Sequence, residues 1–217
     1  MIYKIIKRFF DIAASGVAII VLFPLWIIAI IGIEVSDYGP VFYYANRVGK
    51  DNKVFKMLKF RSMRVDDNAN EKSLRPDQNR IFKWGKVMRD TKIDELPQLF
   101  NVFLGDMSII GPRPASIDQI EITRKGENSA VSALVPGLSG PSALYDYIYG
   151  DRFEDENEYN IKVLPTRLKL DLYYLKKRSI VYDTKMIIQT IICILYKIIN
   201  KIPKTIYEEL VEASKTI

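Results

Sequence analysis

The sequence predicts an α+β fold that is predominantly helical with a few short strands. It consists of an N-terminal re-entrant membrane helix and a cytosolic domain with interfacial helices. Three observations lead to this prediction. A charge-free apolar run extends from Ile12 to Ile33 and contains Pro24. Apolar and polar side chains alternate within residues 41–59, as they do in strands, and helical spacing occurs within residues 81–89 and 96–103 and again from residue 168 onward.

The apolar run has the length of a membrane segment. Its 22 residues, at ~1.5 Å rise each, extend over roughly 33 Å, and a hydrocarbon core is ~30 Å thick. Pro24 removes a helical hydrogen bond and predicts a kink or a re-entrant bend. Cations flank both ends, and by the positive-inside rule both flanks prefer the cytoplasm. Residues 1–36 are therefore predicted to enter and return on one side, with residues 37–217 cytosolic. An ordinary spanning anchor is the alternative.

One acidic side chain lies close to the start of this run. Asp11 follows Lys7 by four residues and Arg8 by three. Since residues three and four apart are neighbours on a helix, we expect the two cations to neutralise Asp11.

Composition excludes several kinds of chemistry. The chain has no histidine and a single cysteine, Cys193, which excludes Ser-His-Asp and Cys-His catalysis, zinc sites built from His or several Cys, and intramolecular disulfides. Cys193 lies in an apolar run and is interpreted as a small buried hydrophobe. The net charge of +6 is compatible with nucleic acid, an anionic membrane surface or an anionic substrate.

The strands and helices follow from local patterns. Residues 41–59 predict two short strands joined at residues 49–52. Phe82, Gly85 and Met88 have the spacing of one helix face, which predicts a helix within residues 81–89. Residues 136–141 and 151–160 are predicted to be loops.

A second helix is predicted after Asp94. Proline is accepted in the first turn of a helix, so Pro97 places Asp94 at or near the N-cap, with Glu95 in the first turn. Gly105 is a good C-terminal stop. The predicted buried stripe consists of Leu96, Leu99, Phe100 and Phe103.

The last long helical pattern, residues 185–201, is amphipathic and has cations at both ends. A helix that lies on an anionic membrane surface has this pattern. A helix docked on the protein core is an equally good interpretation.

Asp94 and Glu95 are the candidate chemical centre. Adjacent helical side chains point about 100° apart, which favours separate roles over a shared proton. A helix N-terminus stabilises anions and keeps both carboxylates ionised. An ionised Asp can attack phosphorus and an ionised Glu can hold Mg²⁺. An Asp before a helix is usually only a cap, but the loop at residues 111–114 and nearby cations favour a phosphate site. These cations are Lys59, Arg61, Arg89 and Arg113.

Long motifs in the chain resemble those of a known family. Residues 59–63, 93–102 and 105–114 are similar to the signature of the bacterial sugar transferases, the monotopic phosphoglycosyl transferase superfamily. Residues 7–11, followed by the proline-broken apolar segment, and residues 39–49 extend the resemblance over most of the chain.

The resemblance implies an enzyme that moves a sugar 1-phosphate from a UDP-sugar to polyprenol phosphate, with Mg²⁺ and release of UMP. It assigns a covalent phosphosugar to Asp94 and the metal to Glu95, and it implies a re-entrant helix that bends at Pro24. The expected location is the cytoplasmic face of the bacterial inner membrane, where membrane lipid is a further partner. The reaction would begin a capsule, O-antigen, exopolysaccharide or glycoprotein glycan. The resemblance does not specify which sugar is transferred, and it is compatible with a homo-oligomer.

The complete set of predicted binding residues combines the four cations named above with residues that the resemblance adds. The candidates for substrate phosphate binding are Lys59, Arg61, Arg89, Arg113 and Arg152, and those for the substrate pocket are Pro112 and Asp183.

The chain departs from the family pattern at two places. Ala45 replaces a usual Gln, and residues 141–145 read Pro-Ser-Ala-Leu-Tyr, so that Arg152 is the nearest Arg after them. These departures affect recognition of the sugar or the uridine more than the chemistry. A catalytically inactive, membrane-anchored assembly protein of the same fold is therefore the alternative. A basic nucleic-acid binder is a third reading, but it has no use for the apolar run, so no nucleic-acid partner is expected.

Overall fold

A computed structural model of the chain describes residues 2–65, 78–153, 155–199 and 201–217. Most of these residues are helical, and five short strands among them form two small sheets. The predicted α+β fold with predominant helix is confirmed. The division at residue 36 into a membrane segment and a cytosolic domain stays a prediction.

The apolar N-terminal segment forms two helices. Helix α1 (Ile2–Val21) and helix α2 (Phe23–Ser36) meet at an angle of 59°. Pro24 lies in the first turn of α2, where its missing N–H group costs no helical hydrogen bond. Among the described residues no single helix is long and apolar enough to cross a membrane, whereas this bent pair is, judged by length and composition alone. The bend lies where Pro24 predicts it, and a re-entrant path stays a prediction.

The two predicted strands form a hairpin. Strands β1 (Phe42–Val48) and β2 (Val54–Phe60) are antiparallel. The connection contains a short 3₁₀ turn in which Asp51 and Asn52 have positive φ values of 54° and 58°. Asn and Asp accept this conformation better than most residues, so the turn occurs where the sequence predicts it.

The segment that carries the carboxylates begins with helix α3 (Lys83–Asp90), which follows the buried Phe82. The helix face predicted from Phe82, Gly85 and Met88 is confirmed, because Gly85 and Met88 are also buried. A 3₁₀ turn (Ile93–Glu95) then leads into helix α4 (Gln98–Leu104).

Two details of this segment differ from the prediction. Asp94 is not the N-cap of α4, since Pro97 occupies that position and Asp94 lies inside the preceding turn. The predicted burial of Phe100 and Phe103 on α4 is wrong, since these side chains are 40% and 43% exposed. The ring of Phe100 packs edge-on against Trp26 of α2, 5.3 Å between centroids, so this face of α4 adjoins the apolar helix pair. Helix α4 does end at Gly105, at a φ of 105° that favours glycine.

Three very short strands complete the sheets. Strand β4 (Ala115–Ser116) pairs with β1. Strand β3 (Ser108–Ile110) and strand β5 (Gly137–Ser139) form a separate parallel pair. Strand β5 lies in the stretch predicted as a loop, because pairing with a segment distant in sequence decided its conformation.

The rest of the chain is helical. Asp155 accepts a 2.8 Å hydrogen bond from the Glu158 backbone N–H and is the N-cap of helix α7 (Glu156–Lys162), so the loop predicted for residues 151–160 is wrong in its second half. The helices are α5 (Ile120–Thr123), α6 (Pro141–Ile148), α7 (Glu156–Lys162), α8 (Leu164–Lys177), α9 (Ile180–Ile198) and α10 (Lys204–Lys215).

Helix α9 has two apolar faces. Met186 and Cys193 are buried in the core between the C-terminal helices, and burial raises the pKa of the Cys193 thiol to about 12. The interpretation of Cys193 as a small buried hydrophobe is confirmed. Ile188 and Leu195 on the outer face are more than half exposed. Helix α9 is thus docked along one face, and contact of the other face with a membrane stays a prediction.

Polar side chains of α1 tie it to the body of the protein. Asp11 is buried and accepts hydrogen bonds from the Ser108 hydroxyl (2.8 Å) and the Ile109 backbone N–H (3.0 Å). Lys7 does not pair with Asp11 but with Asp183 of α9, at 2.8 Å.

Arg8 is also directed elsewhere. It donates to the backbone carbonyl groups of Val102 and Phe103 at 2.6 and 2.7 Å, where a cation satisfies the carboxyl end of α4. The predicted neutralisation of Asp11 by Lys7 and Arg8 is therefore wrong, because tertiary partners supply closer bonds.

Candidate active site

The backbone presents Asp94 and Glu95 from a tight turn between α3 and α4. Lys92 begins the turn in the left-handed conformation, at a φ of 61°. Pro97 follows, with a φ of −61°, which is the value its ring imposes. The two carboxylates are thus carried by a short segment that is fixed at both ends. The turn packs on α2, β2 and α3.

Two lysines approach Glu95. The ammonium group of Lys59, on strand β2, lies 3.1 Å from Glu95 Oε1, and that of Lys92 lies 3.7 Å from the same oxygen. The Glu95 side chain is 17% exposed. Burial raises the pKa of Glu95, but Lys59, Lys92 and Arg113 together outweigh it, and the pKa is well below its usual range. Glu95 is therefore the firmly ionised member of the pair.

Asp94 has the opposite environment. It is 3% exposed, and its Oδ1 atom has no hydrogen-bond partner in the described part of the chain. Burial is the main cause that raises the pKa of Asp94, and the neighbouring Glu95 adds to it, while Lys59 is the strongest opposing charge. Burial therefore works against the ionised form of Asp94, and the expected stabilisation by a helix N-terminus does not offset it, because Asp94 lies in a turn before the helix.

Arg89 and Arg113 contribute positive charge to the pair. Arg89, at the end of α3, acts on Asp94, and Arg113 acts on Glu95. The guanidinium of Arg113 lies 3.4 Å from Asp146 on α6. Three of the predicted phosphate-binding cations, Lys59, Arg89 and Arg113, thus act on the two carboxylates.

Arg61 has a different role in the structure. It is 4% exposed and pairs with the Asp37 carboxylate and backbone carbonyl, and it donates to the Pro40 carbonyl at 2.6 Å. These bonds connect the residue after β2 to the segment that follows α2. Asp37 thus compensates the buried charge of Arg61, and binding of a substrate phosphate by Arg61 stays a prediction.

Arg152 and Asp183 are also bound elsewhere. The Arg152 guanidinium lies 5.4 Å from the centroid of the Tyr149 ring. Asp183 accepts hydrogen bonds from Lys7, Tyr3 and Tyr174 at 2.8, 2.9 and 2.8 Å, and so joins α1 to α8 and α9. The structure gives Asp183 a linking role that the predicted pocket assignment did not include.

The predicted pocket residue Pro112 directly precedes Arg113. Its carbonyl accepts a 2.8 Å hydrogen bond from the Gly137 backbone N–H. Gly137 has no room for a side chain, since an added Cβ would lie 2.1 Å from the Gly111 nitrogen. The loop that presents Arg113 is thus pressed against β5.

Sequence reasoning missed the role of Lys92 at this site and the burial of Gln98, three residues after Glu95 in the sequence. The Lys92 ammonium group lies over the Tyr147 ring, 4.6 Å from its centroid, as well as near Glu95. Gln98 is 3% exposed, and its amide nitrogen has no partner among the described residues. The available signal was that both residues are polar and lie within four positions of Asp94, outside the predicted apolar face of the helix.

The two carboxylates fit a magnesium ion whose other ligands are substrate phosphates and waters. No group of three or more acidic, cysteine or histidine side chains suited to a metal occurs in the described residues. Mg²⁺ is commonly held by one or two carboxylates with substrate phosphates and waters. The unpartnered Asp94 oxygen and the ionised Glu95 supply such carboxylates, and the surrounding cations suit the phosphates.

The sequence is similar to those of known proteins. The profile described as bacterial sugar transferase matches residues 2–197. An Aeromonas hydrophila protein, UDP-N-acetylgalactosamine-undecaprenyl-phosphate N-acetylgalactosaminephosphotransferase, is 37% identical over 89% of this chain and 44% of its own length. Galactosyl transferase CpsE of Streptococcus agalactiae is 34% identical over 87% of this chain and 42% of its own length.

A third relative is shorter. The exopolysaccharide production protein PSS of Rhizobium leguminosarum is 34% identical over 87% of this chain and 94% of its own length. The chain thus spans less than half of the first two relatives and nearly all of the third.

Proposed function

The chain belongs to the bacterial sugar transferase family, and we propose that it transfers a sugar 1-phosphate from a UDP-sugar to polyprenol phosphate and releases UMP. The observation that carries the proposal is the buried Asp94 with an unpartnered oxygen, beside an ionised Glu95 and within reach of several cations. A nucleophile for a diphosphate needs such surroundings, because its anionic target must be neutralised.

The proposed reaction has two displacements at the same phosphorus atom. An Asp94 oxygen attacks the phosphorus that bears the sugar, and the bond from that phosphorus to the bridging oxygen breaks, so that UMP leaves. An oxygen of polyprenol phosphate then attacks the phosphosugar, and the bond to Asp94 breaks. The carboxylate is regenerated, and the lipid diphosphate sugar is the product. A covalent intermediate divides a difficult transfer into two easier steps.

Only the ionised form of Asp94 can act as this nucleophile. Since burial raises its pKa, the cations near it must favour the carboxylate. Lys59 is placed for this, as it is the strongest opposing charge on Asp94 and also bonds Glu95. Arg89 and Arg113 are proposed to contact the substrate phosphates.

Mg²⁺ is the proposed cofactor. Glu95, with Asp94 and the substrate diphosphate, would hold it, and the bound ion would neutralise charge on the phosphoryl oxygens.

The proposed location is the cytoplasmic face of the bacterial inner membrane, with α1 and α2 as a re-entrant pair. Exposed apolar side chains cover the outer faces of both helices, among them Phe9 at 74% and Ile31 at 57%. The two ends of the pair bond the same body, through Lys7 to Asp183 and through Asp37 to Arg61. Both ion pairs can form if the helix pair enters the membrane and returns to the same side.

The test is release of UMP by the purified protein with Mg²⁺, polyprenol phosphate and a panel of UDP-sugars. We expect turnover with at least one sugar and its loss in Asp94→Asn. Asp118→Asn is the matched control, since Asp118 is an exposed aspartate in another 3₁₀ turn. Full turnover by Asp94→Asn would refute the proposed nucleophile. A folded protein without UMP release on any sugar would favour the inactive assembly protein instead.

A further inference from the structure

We infer that three buried residues, Arg124, Ser142 and Asp171, are positioning residues that hold the Arg113 loop against the substrate diphosphate. The inference rests on the proposed function, in which Arg113 contacts that diphosphate. Arg113 comes just after β3, in a loop without long secondary structure of its own. Its geometry therefore depends on the groups that surround it.

Arg124 holds the carbonyl of Arg113. It is 4% exposed, and its Nη2 donates to the Arg113 backbone oxygen at 3.1 Å. Its Nε and Nη1 atoms have no hydrogen-bond partner among the described residues. Burial lowers the pKa of Arg124, and the charge of Asp171 acts against that shift. Arg124 is thus held beside the Arg113 backbone by the Arg113 carbonyl and by the Asp171 carboxylate.

Asp171 acts on the other side of the same residue. Its carboxylate is 5% exposed. Burial raises the pKa of Asp171, and the Ser142 hydroxyl, the Arg124 charge and the Arg113 backbone N–H act against that shift. Both polar groups of the Arg113 peptide backbone thus face a buried charged side chain.

Ser142 orients Asp171. It is fully buried at the start of α6, and its hydroxyl donates to Asp171 Oδ1 at 2.5 Å. Ser142 belongs to the stretch at residues 141–145 where the chain departs from the family pattern. This stretch therefore acts on the site through Asp171 and Arg113.

Helix α6 also positions the side chain of Arg113. Asp146, one turn after Ser142, lies 3.4 Å from the guanidinium of Arg113 and accepts a 2.6 Å bond from the Tyr159 hydroxyl. The backbone and the side chain of Arg113 are thus both held by groups on or next to α6. A change at Ser142 should reach the diphosphate through Arg113.

The experiment is a double-mutant cycle between Ser142→Ala and Arg113→Ala. Binding of UDP with Mg²⁺ to the full chain in detergent is measured by calorimetry. We expect Arg113→Ala to weaken binding by about tenfold to a hundredfold, as loss of a hydrogen bond to a charged group does. Ser142→Ala should weaken it several-fold, and the double variant should bind like Arg113→Ala alone. Ser214→Ala, at another buried serine that bonds within its own helix, should bind like the wild type.

Each outcome decides the inference. Additive losses in the cycle, or unchanged binding by Ser142→Ala, would overturn it, as would a wild-type protein that does not bind UDP. If Ser142→Ala fails to fold, Asp171→Asn replaces it in the same cycle. Protein that releases UMP with an additive cycle refutes the positioning role alone. A non-additive cycle without UMP release refutes the proposed transfer and keeps the positioning role.

Discussion

Lys59 is the residue whose removal tests the electrostatics of the site most directly. It is the largest opposing charge on both carboxylates. Lys59→Met keeps an unbranched side chain of similar length and removes the charge. Lys92 stays 3.7 Å from Glu95, so the site keeps part of its compensation. The variant should therefore fold, and its rate of UMP release should be low.

The magnitude follows from the distance between Lys59 and Glu95. At 3.1 Å and an effective dielectric constant of about 20, the attraction is about 5 kcal/mol before desolvation. The side chains are 22% and 17% exposed, and desolvation offsets much of this attraction. A hydrogen bond to a charged group contributes about 1.5–3 kcal/mol net, which corresponds to roughly tenfold to a hundredfold in rate.

The assay is the UMP release rate as a function of pH. Loss of Lys59 raises the pKa of Asp94 further, so the acid limb of the profile should move to higher pH, with the largest loss at low pH. Lys56→Met is the matched control, since Lys56 is an exposed lysine on the same strand. If Lys59→Met has the rate and pH profile of Lys56→Met, Lys59 does not set the ionisation of Asp94.

Three further predictions concern stability. Because burial raises the pKa of Asp94 above 3.8, folding favours its protonated form, and stability falls as pH rises through the interval between the unfolded and folded pKa values. Asp94→Asn should therefore raise the melting temperature at pH 8 and lose this advantage near pH 3, and a lower melting temperature at pH 8 would contradict the argument. Gly85→Ala places a Cβ 2.0 Å from the Ser62 carbonyl oxygen and should cost about 1–3 kcal/mol in urea unfolding, whereas Gly16→Ala, with 3.5 Å to Phe103, should be neutral or stabilising. Asp11→Ala leaves the Ser108 and Ile109 donors without Asp11 and should cost about 2–5 kcal/mol; an unchanged urea midpoint would show that the bond between α1 and β3 is not needed.

Much of the architecture was determined by the sequence itself. Pro24 determined the position of the bend, and Gly105 determined the end of α4, because a missing N–H group and a missing Cβ act on the backbone within one turn. The alternation within residues 41–59 was sufficient for the hairpin. The motif around Asp94 was also sufficient for the family, as its residues and their order are long and specific.

The tertiary structure decided which charges meet. Arg61 was expected at the site and lies with Asp37, whereas Lys92 was not predicted and lies 3.7 Å from Glu95. The opposite pKa shifts of Asp94 and Glu95 also appear only in the fold. Their physical reason is that desolvation and charge interaction depend on distances between residues remote in sequence. Local patterns specify turns and faces of helices, and packing of the elements determines the electrostatics of the carboxylate pair.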